Sequence, residues 1–382
     1  MDEFHGAYFT QMTDIHIGSS GWNREQARKN LEKALSEMAE VSHLPEIVLV
    51  TADLVNSGTR EELAEYAAIA SHTKLRLASL PANHDLWGEE DTSAWTDLIG
   101  PVRHHVDIED RRYILVNAHH SCPDNSWKAA LDSEQMAWLK GRIQEWAPKP
   151  VFVAMHPPIL PRGDDWHDVW KGSNAPEVVS VLHAPNVKAL ITGHWHRNGE
   201  WNVRGVRQIT TGALTGWQWN ATPPYYHFPT RPGYRWFHFD GETLRTFWRE
   251  VSPSLQATLT WAGPVHVGGP RPQVRPPLIG GPIILRAETW SQLDPVIELE
   301  WSMEKGHWHK MTKVWEGLWS EWHAPFDSRE CRVGEAVLCV RAKSKSGKEA
   351  YDAVPARIDQ GHPARDAVAG PEMVFELFYL PE

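Results

Sequence analysis

Along the first two-thirds of the chain, short apolar runs alternate with stretches whose apolar residues recur at helical spacing. Residues 7–13, 46–51 (EIVLVT), 75–80, 113–118, 151–155, 187–192, 206–211 and 234–239 read as strands. Between them, 24–41 reads as a helix on the spacing of Leu31, Ala34, Leu35 and Met38. Residues 60–71 and 132–146 read as two more, the second with Asp132 and Gln135 at capping-box spacing. Strand–helix alternation of this kind predicts a layered α/β domain, with ligands gathered in the loops beyond the strand ends.

The pattern changes near residue 255. A Gly/Pro cluster at 263–282 reads as a linker or strap. After it, the runs 282–290, 296–303, 313–322, 336–343 and 351–358 are short, rich in β-formers and about ten residues apart, which predicts a small all-β sandwich of Ig/fibronectin-like type. Ile297, Leu299 and Trp301 alternate in period two and are expected on its core face, with Trp290, Trp308, Trp315, Trp319 and Trp322 supplying core and interface. The domains expected are thus 1–254, a linker at 255–282, a β domain at 283–360 and a tail at 361–382. The β domain is also a candidate surface for homo-oligomerisation.

Length agrees with this division, since 382 residues exceed one compact domain. Lys and Arg number 38 against 49 Asp and Glu, a net charge of −11 that disfavours duplex nucleic acid as a partner. Cys122, Cys331 and Cys339 have no metal or disulfide-framework spacing. No apolar run reaches the roughly 20 residues needed to span a bilayer. The acidic start MDEFHGAYFTQMTD does not read as a signal peptide, so a cytoplasmic location is expected.

The chemistry lies just after the strands. Asp14-Ile15-His16, Asp53 with Asn56, Asn83-His84-Asp85, His156, and His194-Trp195-His196 each follow an apolar run, in order, separated by βα units. Any one of these is unremarkable, but five at strand C-termini converge on one sheet edge. Carboxylate, imidazole and amide oxygen together suit divalent or trivalent metals. In an extended loop residues i and i+2 project the same way, so each Asp-x-His or His-x-His pair can serve one cluster.

These segments resemble the five blocks of the calcineurin-like metallophosphoesterases: Asp-x-His, Gly-Asp-x-x-Asp/Asn, Gly-Asn-His-Asp/Glu, a single His, and Gly-His-x-His. The resemblance covers about residues 7–250, including 131–139 (LDSEQMAWL). Its motif pattern is similar to bacterial class III cyclic-nucleotide and glycerophosphodiester phosphodiesterases. It implies a four-layer αββα sandwich holding two metal ions (Mn, Fe, Zn or Co). Carried over, Asp14, His16 and His196 would hold the first metal, Asn83, His156 and His194 the second, and Asp53 would bridge them. His84 would be the outer-sphere histidine at the leaving group. The implied activity is hydrolysis of small organic phosphodiesters by a metal-held hydroxide. The alternatives are a phosphomonoesterase on the same centre or a weakly active or non-catalytic metal-binding scaffold.

Three departures from the pattern matter. Asn56 stands where protein Ser/Thr phosphatases carry an Asp that orients the outer-sphere histidine, so His84 needs another partner, Asp85 being one candidate. Ala52 and Ala82 replace motif glycines, and a Cβ there crowds the backbone or demands negative φ. No Tyr follows Asp53, unlike purple acid phosphatases. For substrate contacts the sequence offers Arg162, Trp166 and His167 in a loop after the fourth block, and Trp87 after the third; Trp22, Trp217 and Trp219 are weaker candidates for the rim.

Overall fold

The computed structural model describes residues 6–18, 24–87, 92–121, 127–159, 174–196, 198–203, 205–216, 231–260, 278–280 and 282–359. They form two compact units, the first drawn in the main from residues up to Val251 and the second from Ser252 onward.

In the first unit β1 (Ala7–Met12), α1 (Arg24–Ala39), β2 (Val48–Thr51), α2 (Arg60–Ala70), β3 (Leu77–Leu80), α3 (Asn83–Leu86) and α4 (Ser93–Leu98) come first. Then follow β4 (His104–Ile108), β5 (Arg111–Leu115), β6 (His119–Ser121), β7 (Trp127–Ala129), α5 (Ser133–Trp146) and β8 (Val151–Ala154). The last part holds α6 (Ala175–Leu182), β9 (Val187–Thr192), β10 (Gly199–Val203), β11 (Val206–Thr210), β12 (Gly233–Phe239) and β13 (Leu244–Glu250). One sheet runs β13-β12-β1-β2-β3 and the other β10-β11-β9-β8-β5-β4. Their inner faces meet through Phe9, Leu49, Tyr113, Phe152 and Phe237, with Phe9 and Phe237 stacked at 4.5 Å between centroids. Strands buried on both faces carry near-continuous apolar runs, which is why β2 and β8 read so clearly; β1 is as fully buried but includes Thr10 and Gln11.

Helices cover the outer faces. The Thr10 hydroxyl meets Met38 of α1, the Tyr66 hydroxyl of α2 lies 3.2 Å from Ser79 Oγ, and Arg112 of β5 donates to the Arg142 carbonyl of α5. The result is the four-layer αββα sandwich. Asp132 caps α5 by accepting from the Gln135 amide at 2.7 Å. Strands β4 and β13 escape the sequence pattern because charged and histidine side chains (His104, His105, Asp107; Arg245, Arg249) interrupt the apolar alternation. Arg249 is nonetheless buried, its guanidinium 4.0 Å from Glu37 of α1.

Strands β1, β2, β3 and β8, β9 are parallel to their sequential neighbours within each sheet. Buried Gln11 of β1 donates to both the Thr51 hydroxyl of β2 and the Thr192 carbonyl of β9, tying the two sheets together beneath those strand ends. Every chemistry-bearing segment leaves from this one edge.

The second unit is all-β. It comprises β14 (Leu255–Leu259), β15 (Leu278–Gly280), β16 (Pro282–Ser291), β17 (Val296–Met303), β18 (His309–Lys310), β19 (Thr312–Glu316), β20 (Trp319–Asp327), β21 (Gly334–Ser344) and β22 (Glu349–Asp359). Sheets β14-β16-β20-β19 and β15-β22-β21-β17-β18 enclose Leu285, Leu299, Trp322, Phe326, Leu338, Val340 and Val354. Two expectations change here. Leu255–Leu259, inside the stretch read as linker, is a strand whose Ala257 and Leu259 enter this core. Ile297 is 59% exposed rather than inward, because a bulge between Val296 and Glu298 shifts the pleat and turns Val296 inward instead. Trp290, Trp319 and Trp322 are buried, and Trp301 packs half-buried against the core. Among the described residues, no helix is long and apolar enough to cross a membrane.

Candidate metal centre

Three of the five strand ends, those of β1, β2 and β9, enter the site through strained backbone. Of the ten described non-glycine residues with positive φ, six are Asp14 (52°), His16 (55°), Ala52 (71°), Asp53 (49°), His194 (71°) and His196 (53°). Left-handed backbone costs an L-residue about 1–2 kcal/mol, so this concentration marks a site where the fold overrides local preference. The Asp-x-His and His-x-His pairs therefore converge through left-handed turns, not through the extended loop expected from period-two projection. Long-range bonds hold the turns. The amides of Asp14 and His16 donate to the carbonyls of Ala52 and Asp53 at 3.1 and 3.0 Å. Thr215 N donates to the Asp14 carbonyl, and His194 N to Asp14 Oδ2 at 3.1 Å.

The side chains meet as three sets. Ligand atoms of Asp14, His16 and His196 lie within 4.8 Å of one another, and so do those of Asp53, His156 and His194; a third set, His16, Asp53 and His84, shares a member with each. His196 Nε2 is 3.1 Å from Asp14 Oδ1 and 3.2 Å from His16 Nε2, and His156 Nε2 is 3.1 Å from Asp53 Oδ2. Ligand atoms sharing one cation at bonds of about 2.1 Å sit about 3.0–3.4 Å apart, so these spacings fit a common ion. Asn83 Oδ1, at the start of α3 just after β3, is buried with no hydrogen-bond partner. A buried polar atom without a hydrogen bond is costly, and a cation is one partner that would satisfy it. The donor set fits divalent metal ions.

Electrostatics agree. Burial pushes the Asp14 and Asp53 carboxyls up, but His196 and His156 beside Asp14, and His156 and His84 beside Asp53, hold both well below the usual carboxylate range. Burial holds His16 well below the ordinary imidazole value, which favours the neutral ring that a metal ligand requires. For His156, burial lowers the value but the Asp53 and Asp14 carboxylates outweigh it and raise it to about 9. A cation would have to displace that proton. His156 Nδ1 lies 2.8 Å from the Thr51 carbonyl, which fixes its ring with Nε2 toward Asp53.

His84 is half-buried at the start of α3, with its amide 3.3 Å from Asp53 Oδ1 and its ring 4.7 Å from that of His16. Its orienting partner is the backbone carbonyl of Asn56, 2.7 Å from Nδ1. The position that lacks a carboxylate thus still supplies the acceptor, from main chain. Asp85 does something the sequence did not reveal: it accepts from the amides of Asp53 (2.8 Å), Leu54 (2.7 Å), Val55 (3.1 Å) and Ala82 (3.0 Å). Burial and the Asp53 charge push its carboxyl up, to about 8, against those donors. Four N–H groups on two oxygens match the full acceptor capacity of a carboxylate, and the ionised form is the one this bond set requires.

The two alanines at glycine positions differ. Ala82 is extended at φ −140°, where a Cβ costs nothing, whereas Ala52 takes φ +71° despite its Cβ. Both methyls are buried. For Ala52→Gly, about 1–2 kcal/mol of strain relief opposes about 0.8 for a lost methyl and about 0.4–1 for a freer unfolded chain. The sum is near zero. Ala82→Gly has only the two losses, so urea unfolding is expected to show it less stable than Ala52→Gly by about 1–2 kcal/mol.

Of the substrate contacts expected from sequence, Trp87 lies beside the site, its ring 5.2 Å from that of His84. Arg162, Trp166 and His167, like Trp22, Trp217 and Trp219, fall outside the described residues.

A four-layer sandwich with overlapping Asp/His clusters at the strand ends defines a metal-dependent hydrolase of phosphoric esters. The family model for calcineurin-like phosphoesterases matches residues 7–198, half of the chain, and the chain belongs to that family. It is 24% identical over 212 residues to a glycerophosphodiester phosphodiesterase of Enterobacter lignolyticus, covering 52% of this chain and 72% of that one. It is 23% identical over 261 residues to a probable cyclic nucleotide phosphodiesterase of Psychrobacter arcticus, covering 63% and 92%. Among solved structures, a dimetal phosphatase from Danio rerio aligns at a TM-score of 0.47 and 15% identity, over 65% of this chain and 100% of that one.

Proposed function

We propose that the chain hydrolyses small organic phosphodiesters at a centre of two metal ions, with Asp14, His16 and His196 holding one, Asn83, His156 and His194 the other, and Asp53 shared. The supporting observation is the position of Asp53 Oδ2, 3.1 Å from His156 Nε2 of one set and 3.8 Å from His16 Nε2 of the other. When bound, two such cations polarise the phosphoryl oxygens and lower the pKa of water. The protein's own groups do the rest. Asp14 and Asp53 stay ionised and supply the negative charge that draws cations in. His84, with Nδ1–H on the Asn56 carbonyl, presents Nε2; as the imidazolium it would give the Nε2 proton to the departing alkoxide and become the neutral Nδ1–H ring. Diesters are favoured over monoesters by the activities named for the relatives, which act on glycerophosphodiesters and cyclic nucleotides.

Manganese-loaded protein is expected to hydrolyse bis(p-nitrophenyl) phosphate faster than p-nitrophenyl phosphate, and chelated protein neither. Replacing a partner of a metal ligand typically costs 10–100-fold, so loss of the shared ligand in Asp53→Ala is expected to cost more than about 100-fold and to lower bound metal. Metal-loaded protein that leaves both esters intact would sink the hydrolase reading. An Asp53→Ala variant with full metal content and rate would show that the centre lies elsewhere.

A further inference from the structure

Trp87 ends α3 with 64% of its surface exposed, the only tryptophan among the described side chains left so open. The other described tryptophans of the first unit are buried or half-buried. Hydrophobic burial is available to a neighbouring indole such as Trp95, 1% exposed, so the exposure of Trp87 is not forced by composition. Its position is specific. Rings run outward from the ligand cluster in sequence: His16 to His84 at 4.7 Å and 86°, then His84 to Trp87 at 5.2 Å and 69°. The indole thus packs on the histidine whose amide lies 3.3 Å from Asp53 Oδ1.

We infer that Trp87 is a specificity-determining platform on which a flat ring of the leaving group packs, so that the site selects phosphodiesters whose departing alcohol carries an aryl group or nucleobase. This rests on the phosphodiesterase reading above, in which His84 protonates the leaving oxygen. The substituent on that oxygen must then extend past His84, where an exposed aromatic face waits. Indole is sequence-tolerant as a stacking partner because every base or aryl ring has a π-face. An alkyl leaving group gains little from the same surface.

The test compares wild type, Trp87→Ala and Trp87→Phe, each metal-loaded, on bis(p-nitrophenyl) phosphate and 3′,5′-cyclic AMP against glycerophosphoethanolamine. Trp87→Ala is expected to raise KM about tenfold or more for the two ring-bearing esters. It should leave the alkyl diester unchanged, along with metal content and melting temperature. Trp87→Phe should restore most of the loss. Calorimetry supplies a readout free of turnover: Trp87→Ala should weaken 5′-AMP binding and leave inorganic phosphate binding as in wild type. Equal effects on all substrates, or unchanged 5′-AMP affinity, would overturn the platform. Wild type that binds 5′-AMP through Trp87 but hydrolyses no ester would instead overturn the phosphodiesterase reading and leave the platform standing.

Discussion

Gly193→Ala is expected to cut phosphodiester turnover by about 100-fold or more while the chain stays folded. A Cβ on Gly193 would lie 1.9 Å from Thr13 Oγ1, 2.7 Å from Asp14 Oδ2 and 2.9 Å from Thr13 Cβ. Ordinary contact needs more than about 3.4 Å, so either β1's exit loop or the His194 turn must move by more than 1 Å. There is little slack for that. The Thr13 hydroxyl shares its one proton between Asp14 Oδ2 at 2.7 Å and the Thr51 carbonyl at 2.9 Å, and His194 N donates to the same Asp14 oxygen. The glycine is required for close approach, not for a left-handed φ. Circular dichroism would establish folding, and steady-state kinetics with bound-metal analysis would read the site. A variant with wild-type kcat and metal content would mean that the loops yield without moving Asp14.

Asp85→Ala is expected to be the most destabilising single change in the candidate site, at about 3–5 kcal/mol by urea unfolding. It would strand four buried amides, those of Asp53, Leu54, Val55 and Ala82, each costing about 1–3 kcal/mol if left without an acceptor. The costs do not add fully, because a relaxed loop can admit water. Asp85→Asn keeps one oxygen and turns an NH2 toward N–H groups, so it should fall between wild type and alanine. Gly58 packs against this same turn: a Cβ there would come within 2.8 Å of the Asp85 carbonyl. A small stability loss for Asp85→Ala would show that the Asp53 loop has other support.

Both predictions concern residues whose chemistry is plain in the sequence but whose job is not. Asp85 follows two site residues and is read most simply as a neighbour able to orient His84. In the fold it faces the main chain of two strand exits instead, and the Asn56 carbonyl orients His84. Sequence names side chains, and both of these roles involve backbone groups, which every residue carries alike. Ile297 shows the same limit in the second unit, since period-two projection holds only until a bulge inserts a residue.

What the sequence determined by itself was local: buried strands as apolar runs, helices by spacing and caps, and the order of Asp, His and Asn just beyond strand ends. Those signals survive because burial and metal ligation each demand particular side chains at particular chain positions. Only the tertiary structure decided how the ligands meet. Six left-handed residues, Gly193's contact with Thr13 and three of the four amides on Asp85 depend on partners from 30 to 180 positions away. No local preference favours those conformations; packing two sheets face to face imposes them.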